Sequence, residues 1–282
     1  MTVATYPLPW LRLRVRVAVA GWNRVGTQAQ FYAKTALSIA DVFRYYRIEL
    51  VRLIAQMGLG TGALAVIGGT VVIVGFLTVT TGGLAAVIGY NQLADIGVEA
   101  LTGFASAYFN VRLAAPLTAG IALAATIGAG ATAQLGVMRI NEEIDALEVM
   151  GVRSIAYLAS TRLVAGVIVV IPLYCVAVIT AFFSARTITT LIYEQSSGVY
   201  DHYFNTFLAP TSLIWSFLLA VSMSIVVMLV HTYYGYTASG GPAGVGEAVG
   251  RAVRSSLVSV GVLTVFVSLA VYGQSGSFNL AG

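Results

Sequence analysis

The charged side chains of this sequence are concentrated in one short stretch, residues 139–154, which reads RINEEIDALEVMGVRS. Only 9% of the chain is charged, yet this stretch holds four of its 11 acidic residues. Its charged members are Arg139, Glu142, Glu143, Asp145, Glu148 and Arg153. Carboxylates at this density could recognise a basic surface on a partner protein, or they could solvate an ordinary loop.

The spacing within this stretch predicts a short amphipathic helix. The acids that recur at three-residue steps share one helical face: Glu142, Asp145 and Glu148. The apolar side chains fall largely on another side: Ile144, Leu147 and Val149 or Met150. Gly151 is typical of the end of a helix. Two interpretations stay open, a solvated connector and a docking helix for a partner with a basic groove.

A second polar stretch, GYTASGGPAGVGEAVG at residues 235–250, is rich in glycine. A nucleotide-binding loop would need a lysine beside its last glycine, but the lysine of this chain is the distant Lys34. We therefore expect no ATP hydrolysis by this polypeptide. The glycines predict a tight cytoplasmic turn, and the nearby Glu247, Arg251 and Arg254 could contact a cytoplasmic partner.

Catalytic and metal-binding chemistry finds no support in the sequence. His202 and His231 are far apart, and His231 is predicted to be an interfacial residue near the end of an apolar run. Cys175 is alone inside another apolar run, which indicates a buried spectator. We expect no enzyme activity, no metal site and no cofactor in this chain.

The composition predicts an all-α polytopic membrane protein. The chain is 58% hydrophobic, and its mean hydropathy is +0.88. Five apolar runs approach the roughly 20 residues that cross a bilayer: 57–81, 113–138, 155–183, 208–230 and 255–273. Residues 84–110 are apolar but carry Asp95 and Glu99, and we expect a partly buried, non-cytoplasmic helix or a re-entrant segment there.

The N-terminal part is more basic than the rest of the chain. The sequence therefore predicts two regions, a basic arm with an interfacial helix at 1–54 and a transmembrane domain at 55–282. The segment LRLRVRV at 11–17 alternates like a strand but also fits a helix. Residues 35–54 gather charges on one side of a broad apolar surface, which predicts a helix lying among lipid headgroups. Gly58, Gly60 and Gly62 follow it and could permit a bend or a close helix crossing.

Basic residues predict the orientation of the spans. With five spans and a cytoplasmic start, all of the 15 Lys and Arg residues except Arg112 and Arg186 fall on the inner side. We therefore expect a cytoplasmic N-terminus and an outer C-terminus. Because the basic residues are explained by the orientation of the spans, the net charge of +4 does not predict nucleic-acid binding.

Small residues recur every fourth position in the second predicted span, at Gly120, Ala124, Gly128, Thr132 and Gly136. Such a stripe lets helix backbones approach closely. It could serve packing within the chain, a seam between two subunits, or the wall of a lipid cavity.

Two motifs carry a family resemblance: QLGVMRINEEIDALEVMGVRSIAYLASTRLVAG at 134–166 and YYGYTASGGPAGVGEAVGRAVRSS at 233–256. They resemble the MlaE/YrbE permease family, in particular the YrbE proteins that pair with Mce proteins in actinobacteria. The resemblance implies a lipid ABC transporter permease in a bacterial plasma membrane. Its interfacial helix would precede about five spans, and its short cytoplasmic coupling helix would carry Arg139, Glu142, Glu143, Asp145 and Glu148.

The resemblance also implies the partners. A paired permease would complete the membrane core, an ABC ATPase dimer that uses ATP and Mg would dock below, and MCE-domain proteins would form a conduit outside. Family members commonly carry an arginine and a glutamate where this chain has Thr126 and Gln134. Their joint absence suggests a B-type subunit of a heterodimer.

Three other classes of function compete with this one. An ion-coupled secondary transporter usually places ionisable groups at mid-membrane, and the predicted spans lack central ones. A membrane enzyme would need a catalytic constellation. A non-transporting scaffold half of a heterodimer stays open as the alternative to a transporting permease. Neither the lipid nor the direction of transport follows from the residues.

Overall fold

The computed structural model describes residues 9–59 and 69–273, and within them it is helical with no strand. Three helices precede the gap: α1 (Pro9–Leu37), α2 (Ile39–Tyr45) and α3 (Arg47–Leu59). Seven follow it: α4 (Gly69–Ala94), α5 (Glu99–Ile140), α6 (Glu143–Val149), α7 (Ile155–Ile192), α8 (Ser197–Phe207), α9 (Pro210–Tyr236) and α10 (Gly241–Tyr272). Helices α5 and α7 include π-helical turns, at 110–114 and 124–128 in α5 and at both ends of α7.

Five helices, α4, α5, α7, α9 and α10, are long and apolar enough to cross a membrane, which confirms the prediction of an all-α polytopic membrane protein. The shortest has 26 residues, above the roughly 20 that a bilayer requires. Large apolar side chains lie exposed on their outer surfaces, as lipid-facing residues do: Phe76, Phe183, Val258 and Phe266.

The first span is displaced from the predicted run. Residues 57–81 were expected to cross the membrane, but α4 begins at Gly69 and continues to Ala94. Gly60 and Gly62 fall outside the described residues, and Gly58 has open space around it. The uncharged sequence from 57 to 94 carries no charge that could mark either end of the helix, so hydropathy alone could not locate it.

Residues 84–110 do not form a separate or re-entrant element, contrary to the expectation. Residues 84–94 complete α4 and residues 99–110 begin α5, with a tight turn between them. Gly97 adopts a φ of 72° in this turn, a left-handed conformation that glycine tolerates. Asp95 and Glu99 are exposed at the tip of the hairpin, which explains why an apolar region carries two acids.

The predicted interfacial helix at 35–54 is interrupted. It comprises the end of α1, then α2 and the start of α3, with breaks at Ser38 and Tyr46. Val42, Leu50 and Leu53 are buried against Val164 and Ala165 of α7. The N-terminal helices are therefore packed onto the spans, and LRLRVRV at 11–17 is helical rather than extended.

Helix α5 is the most extensively buried of the long helices, with α4, α7, α9 and α10 packed around it. The crossing of α4 and α7 is very close, because a Cβ added at Gly82 would lie 2.7 Å from the carbonyl oxygen of Ala181. Cys175 lies exposed on the surface of α7, so the prediction that it is buried was wrong. An apolar run does not specify which of its residues face outward.

The small-residue stripe of α5 lies against helices of the same chain. A Cβ added at Gly120 would meet Met223, one at Gly128 would meet the ring of His231, and one at Gly136 would meet Val245, each within 3.0 Å. Ala124 and Thr132 are fully buried as well. The stripe therefore packs α5 against α9 and α10, which leaves it no free surface for a seam between subunits.

His231 is buried, so its prediction as an interfacial residue was wrong. Its side chain is 0% exposed. The Nδ1 atom lies 2.7 Å from Oγ1 of Thr132, and the Nε2 atom lies 3.1 Å from Oγ of Ser256. This histidine joins α5, α9 and α10 through hydrogen bonds in the apolar interior, where a polar group needs partners.

The opposite end of the molecule carries α8, which packs on the start of α5. Tyr200 is buried there, and its hydroxyl donates to Oγ of Ser106 at 2.9 Å. Burial raises the pKa of the Tyr200 hydroxyl to about 12. Arg186 holds Asp201 through two hydrogen bonds of 2.9 Å, and these lower the pKa of the Asp201 carboxyl.

Candidate functional site

The acidic stretch forms the short helix α6, as the sequence predicted, between the ends of α5 and α7. Two residues with positive φ reverse the chain on either side of it, Glu142 at 61° and Gly151 at 76°. The left-handed conformation costs a residue other than glycine roughly 1–2 kcal/mol. Glu142 is therefore held in place by the contacts that fix α6 against the spans.

Ile144 anchors α6 to the spans. Its side chain is 0% exposed and contacts Leu135 of α5 and Leu158 of α7. Burying such a side chain stabilises the contact by roughly 1.5–3 kcal/mol. Leu147 packs at the edge of the same cluster.

Val149 and Met150 do not share the buried face of Ile144, contrary to the prediction. They are 89% and 68% exposed. The helix ends at Val149, so the turn leading to Gly151 directs these two side chains away from the spans. An exposed apolar pair beside carboxylates is a suitable contact for a partner protein.

The acids of α6 divide into two groups by their partners. Asp145 accepts a hydrogen bond of 2.5 Å from Nη1 of Arg139. Glu148 accepts hydrogen bonds from Ser154 at 2.5 Å and from Tyr236 at 3.0 Å. These two carboxylates therefore have partners within the chain.

Glu142 and Glu143 are exposed and have fewer partners within the chain. Among the described residues, their carboxylates accept one hydrogen bond, a long one of 3.3 Å from Asn141 to Glu143, and neither forms a salt bridge. The acidic surface offered to a partner thus consists chiefly of Glu142 and Glu143, with Val149 and Met150 beside it.

Contacts tie the α6 region to three other parts of the chain. Tyr236 connects it to the end of α9, and its ring lies 5.3 Å from that of Phe31 in α1. Arg153, just after α6, forms a 2.8 Å salt bridge with Asp41 of α2. A displacement of α6 would therefore act on α1, α2 and α9 together.

The second predicted contact region lies on α10. Glu247 and Arg251 form a salt bridge of 2.8 Å, and Nε of Arg254 donates to the carbonyl oxygen of Gly250 at 3.2 Å. All three charged side chains are exposed. No hydrogen bond or salt bridge among the described residues joins them to α6, but α10 packs on the part of α5 that leads into α6.

The glycine-rich stretch forms a turn only in part. Gly240 and Gly241 have φ values of 91° and 70° and reverse the chain before Pro242. From there on the stretch is helical, with Gly244, Gly246 and Gly250 inside α10. The predicted turn is therefore shorter than the glycine content indicated.

A cleft was not predicted; α3, α4 and α5 line its apolar part, and α3, α5 and α7 line most of its polar part. Its apolar part has a volume of about 280 Å³ and includes Met57, Ile73 and Ile127. Its polar part has about 680 Å³ and includes Glu49, Arg52 and Arg162. The two parts adjoin, since Leu53, Gln56 and Gln134 line both. Arg162, a charge within an apolar run, was the sequence signal that could have indicated it.

Five membrane-length helices joined by short connections, with a small helix held beneath them, define a multi-pass membrane protein. The family described as Permease MlaE matches residues 60–270 of this chain. The match includes every membrane-length helix almost to its full extent. The chain belongs to the MlaE permease family.

Individual relatives agree with this assignment. A Rickettsia bellii protein named probable ABC transporter permease protein is 24% identical over 188 residues, which are 67% of this chain and 73% of that protein. The Arabidopsis thaliana protein named trigalactosyldiacylglycerol 1, chloroplastic, is 24% identical over 201 residues, 71% of this chain and 57% of that protein. A Synechocystis protein, also named a probable ABC transporter permease, is 22% identical over 165 residues.

Proposed function

We propose that this chain is the transmembrane permease subunit of an ABC-type lipid transporter, in which a separate ATPase drives movement of lipid or fatty acid across the cell envelope. The observation that carries the proposal is the construction of α6. It presents Glu142, Glu143, Val149 and Met150 outward while Ile144 and Glu148 bind it to the spans. A helix that contacts a partner on one side and the spans on the other can transmit a movement of the partner to the membrane helices.

The family and the relatives support the class of cargo. Two relatives are named ABC transporter permeases, and ABC transporters draw on a nucleotide-hydrolysing subunit. The Arabidopsis relative bears the name of a galactolipid. The apolar spans of this chain also suit an oily cargo better than a polar solute.

The proposed assembly has several parts. A paired permease forms the other half of the membrane core, an ABC ATPase dimer binds α6 from the cytoplasm, and MCE-domain proteins lie outside. The N-terminus is cytoplasmic and the C-terminus is outside, as the basic residues indicate. ATP and Mg act in the ATPase subunit, and residues 1–54 form an interfacial arm before the transmembrane domain.

A heterodimer is proposed on the strength of Thr126 and Gln134. Thr126 donates to the carbonyl oxygen of Ala122 in its own helix, at 2.6 Å, and Gln134 takes the position at which the resemblance leads one to expect an acid. Purification of the intact complex with two different permease chains would agree with this. A stable complex that contains two copies of this chain alone would contradict it.

Charge reversal on α6 tests the coupling. The double variant Glu142→Lys with Glu143→Lys changes exposed acids without internal salt bridges, so the fold should survive while ATPase co-purification and ATP-dependent lipid movement are lost. Asp95→Lys with Glu99→Lys is a matched control, because both acids are exposed at the α4–α5 turn, away from α6. Unchanged ATPase binding in the α6 variant would refute the assignment.

The alternative of a non-transporting scaffold predicts a different result. A scaffold half would still bind the ATPase through α6, but its own charge reversal would leave lipid movement intact when the paired permease is unaltered. Reconstituted complexes that carry the variant in this chain only would separate the two functions.

A further inference from the structure

Arg162 is a buried cation that forms no salt bridge with a described carboxylate. Its side chain is 6% exposed. Nη1 donates to the carbonyl oxygen of Leu158 at 3.1 Å, and Nη2 reaches Oε1 of Gln134 only at 3.5 Å. The Nε atom is buried with no hydrogen-bond partner. A buried guanidinium with an unpaired N–H group destabilises the folded state unless an anion lies beside it.

Two acids line the same cleft, and each has another partner. Glu49 acts on Arg162 through its charge, but its salt bridge, of 3.6 Å, is to Arg52 on α3. Glu143 is exposed at the mouth of the cleft, where Asn141 donates to it. No salt bridge to Arg162 is formed by any residue of 9–59 or 69–273 whose side chain is described. The polar part of the cleft thus contains an unsatisfied cationic donor.

The neighbouring apolar part gives the cleft an amphipathic shape. It extends from Gln134 and Gln56 along Met57, Ile73 and Ile127. A hydrocarbon chain placed there would bury apolar surface. Its polar end would then lie in the part of the cleft that Arg162 lines.

We propose that this cleft binds a single-chain anionic amphiphile, whose carboxylate or phosphate oxygens accept hydrogen bonds from Arg162 and whose hydrocarbon tail fills the apolar part. An oxyanion supplies the acceptors that the guanidinium lacks, in the charge-assisted pairing that arginine favours. The assignment deepens the proposed function, because it rests on a lipid being the cargo and names the chemistry of its head.

Binding can be measured with the full chain and its co-purifying subunits in phosphatidylcholine nanodiscs. The probes are oleate, oleyl phosphate, oleyl alcohol and inorganic phosphate. Oleate and oleyl phosphate should bind, while the alcohol and inorganic phosphate should bind at least about tenfold more weakly, since each lacks one of the two contacts. Binding of the alcohol as tight as that of oleate would overturn the role of Arg162. Binding of inorganic phosphate as tight as that of oleyl phosphate would overturn the role of the apolar part.

A single variant tests the location of the site. Gln134→Glu places a carboxylate beside Arg162, where it would compete with the ligand. Oleate should then bind about tenfold more weakly or worse, without a lower melting temperature. Gln92→Glu makes the same change at an exposed position near the end of α4 and should bind oleate as the unaltered chain does. Equal oleate affinity in the two variants would overturn the proposal.

This experiment is independent of the transporter assignment. Oleate binding is read without nucleotide, whereas the α6 variants are read through ATPase association and ATP-driven lipid movement. Loss of oleate binding in Gln134→Glu would support the site even in a chain that no ATPase binds. Normal oleate binding in that variant would remove the site and leave α6 unaffected.

Discussion

The hydroxyl of Tyr236 donates to Oε1 of Glu148 at 3.0 Å, across 88 positions of sequence. The same hydroxyl lies 2.8 Å from Oγ of Ser154, which itself donates to Glu148. These three side chains connect the last turn of α9 with α6 and with the start of α7. A movement of α6 is therefore shared with two membrane-length helices.

Tyr236→Phe should weaken this connection. The variant loses the hydroxyl that reaches Glu148, which should destabilise the fold by only about 1 kcal/mol. Lipid movement per ATP hydrolysed should fall by more than ATPase association does. Tyr234→Phe is a matched control, because the Tyr234 hydroxyl lies 3.2 Å from Ser255 of α10 and not at α6. Equal coupling in both variants would argue against the connection.

Gly128→Leu should disrupt the fold of the chain itself. A Cβ at Gly128 would lie 2.6 Å from the ring of His231, and overpacking of this kind costs typically 1–3 kcal/mol. Thermal unfolding in mild detergent should therefore occur at lower temperature. A Cβ added at Gly261 would have open space around it, so the control variant Gly261→Ala should be as stable as the unaltered chain. A Gly128→Leu chain that folds normally but fails to pair with its partner would restore the subunit-seam interpretation.

Tyr200 should make the stability of the chain fall at high pH. Burial raises its pKa from 10.0 to about 12, so the folded state keeps the proton that the unfolded state releases. This contribution is fully present below pH 10.0 and is lost as the pH rises toward about 12. Unfolding of wild type and Tyr200→Phe should be compared across that range. The variant should be less stable at neutral pH, and the difference should shrink as the pH rises; a difference independent of pH would contradict this.

Hydropathy and charge spacing were sufficient to predict the membrane class, five spans and a short acidic helix after the second span. They could not place the first span, because residues 57–94 hold no charge to mark its ends. They also misplaced Val149 and Met150, since the spacing rule assumes a helix that continues, whereas α6 ends at Val149.

The sequence pattern could not predict contacts between residues far apart in the chain. The contact of His231 with Thr132 joins residues 99 positions apart, and nothing in the apolar run around His231 indicates that it faces inward. The contact of Arg162 with Gln134 is likewise set by the packing of α7 on α5. Arg162 could be recognised as unusual in a span, but only the structure shows that it forms no salt bridge with a described residue.

The most direct test of the central claim is a photo-crosslinker at Val149, which is 89% exposed on α6. A matched probe at Ile96, 71% exposed in the α4–α5 turn at the other end of these spans, serves as the control. In native membranes, the Val149 probe should form an adduct with a nucleotide-binding subunit and the Ile96 probe should not. An adduct from Ile96 alone, or none from Val149 in an active complex, would contradict the account.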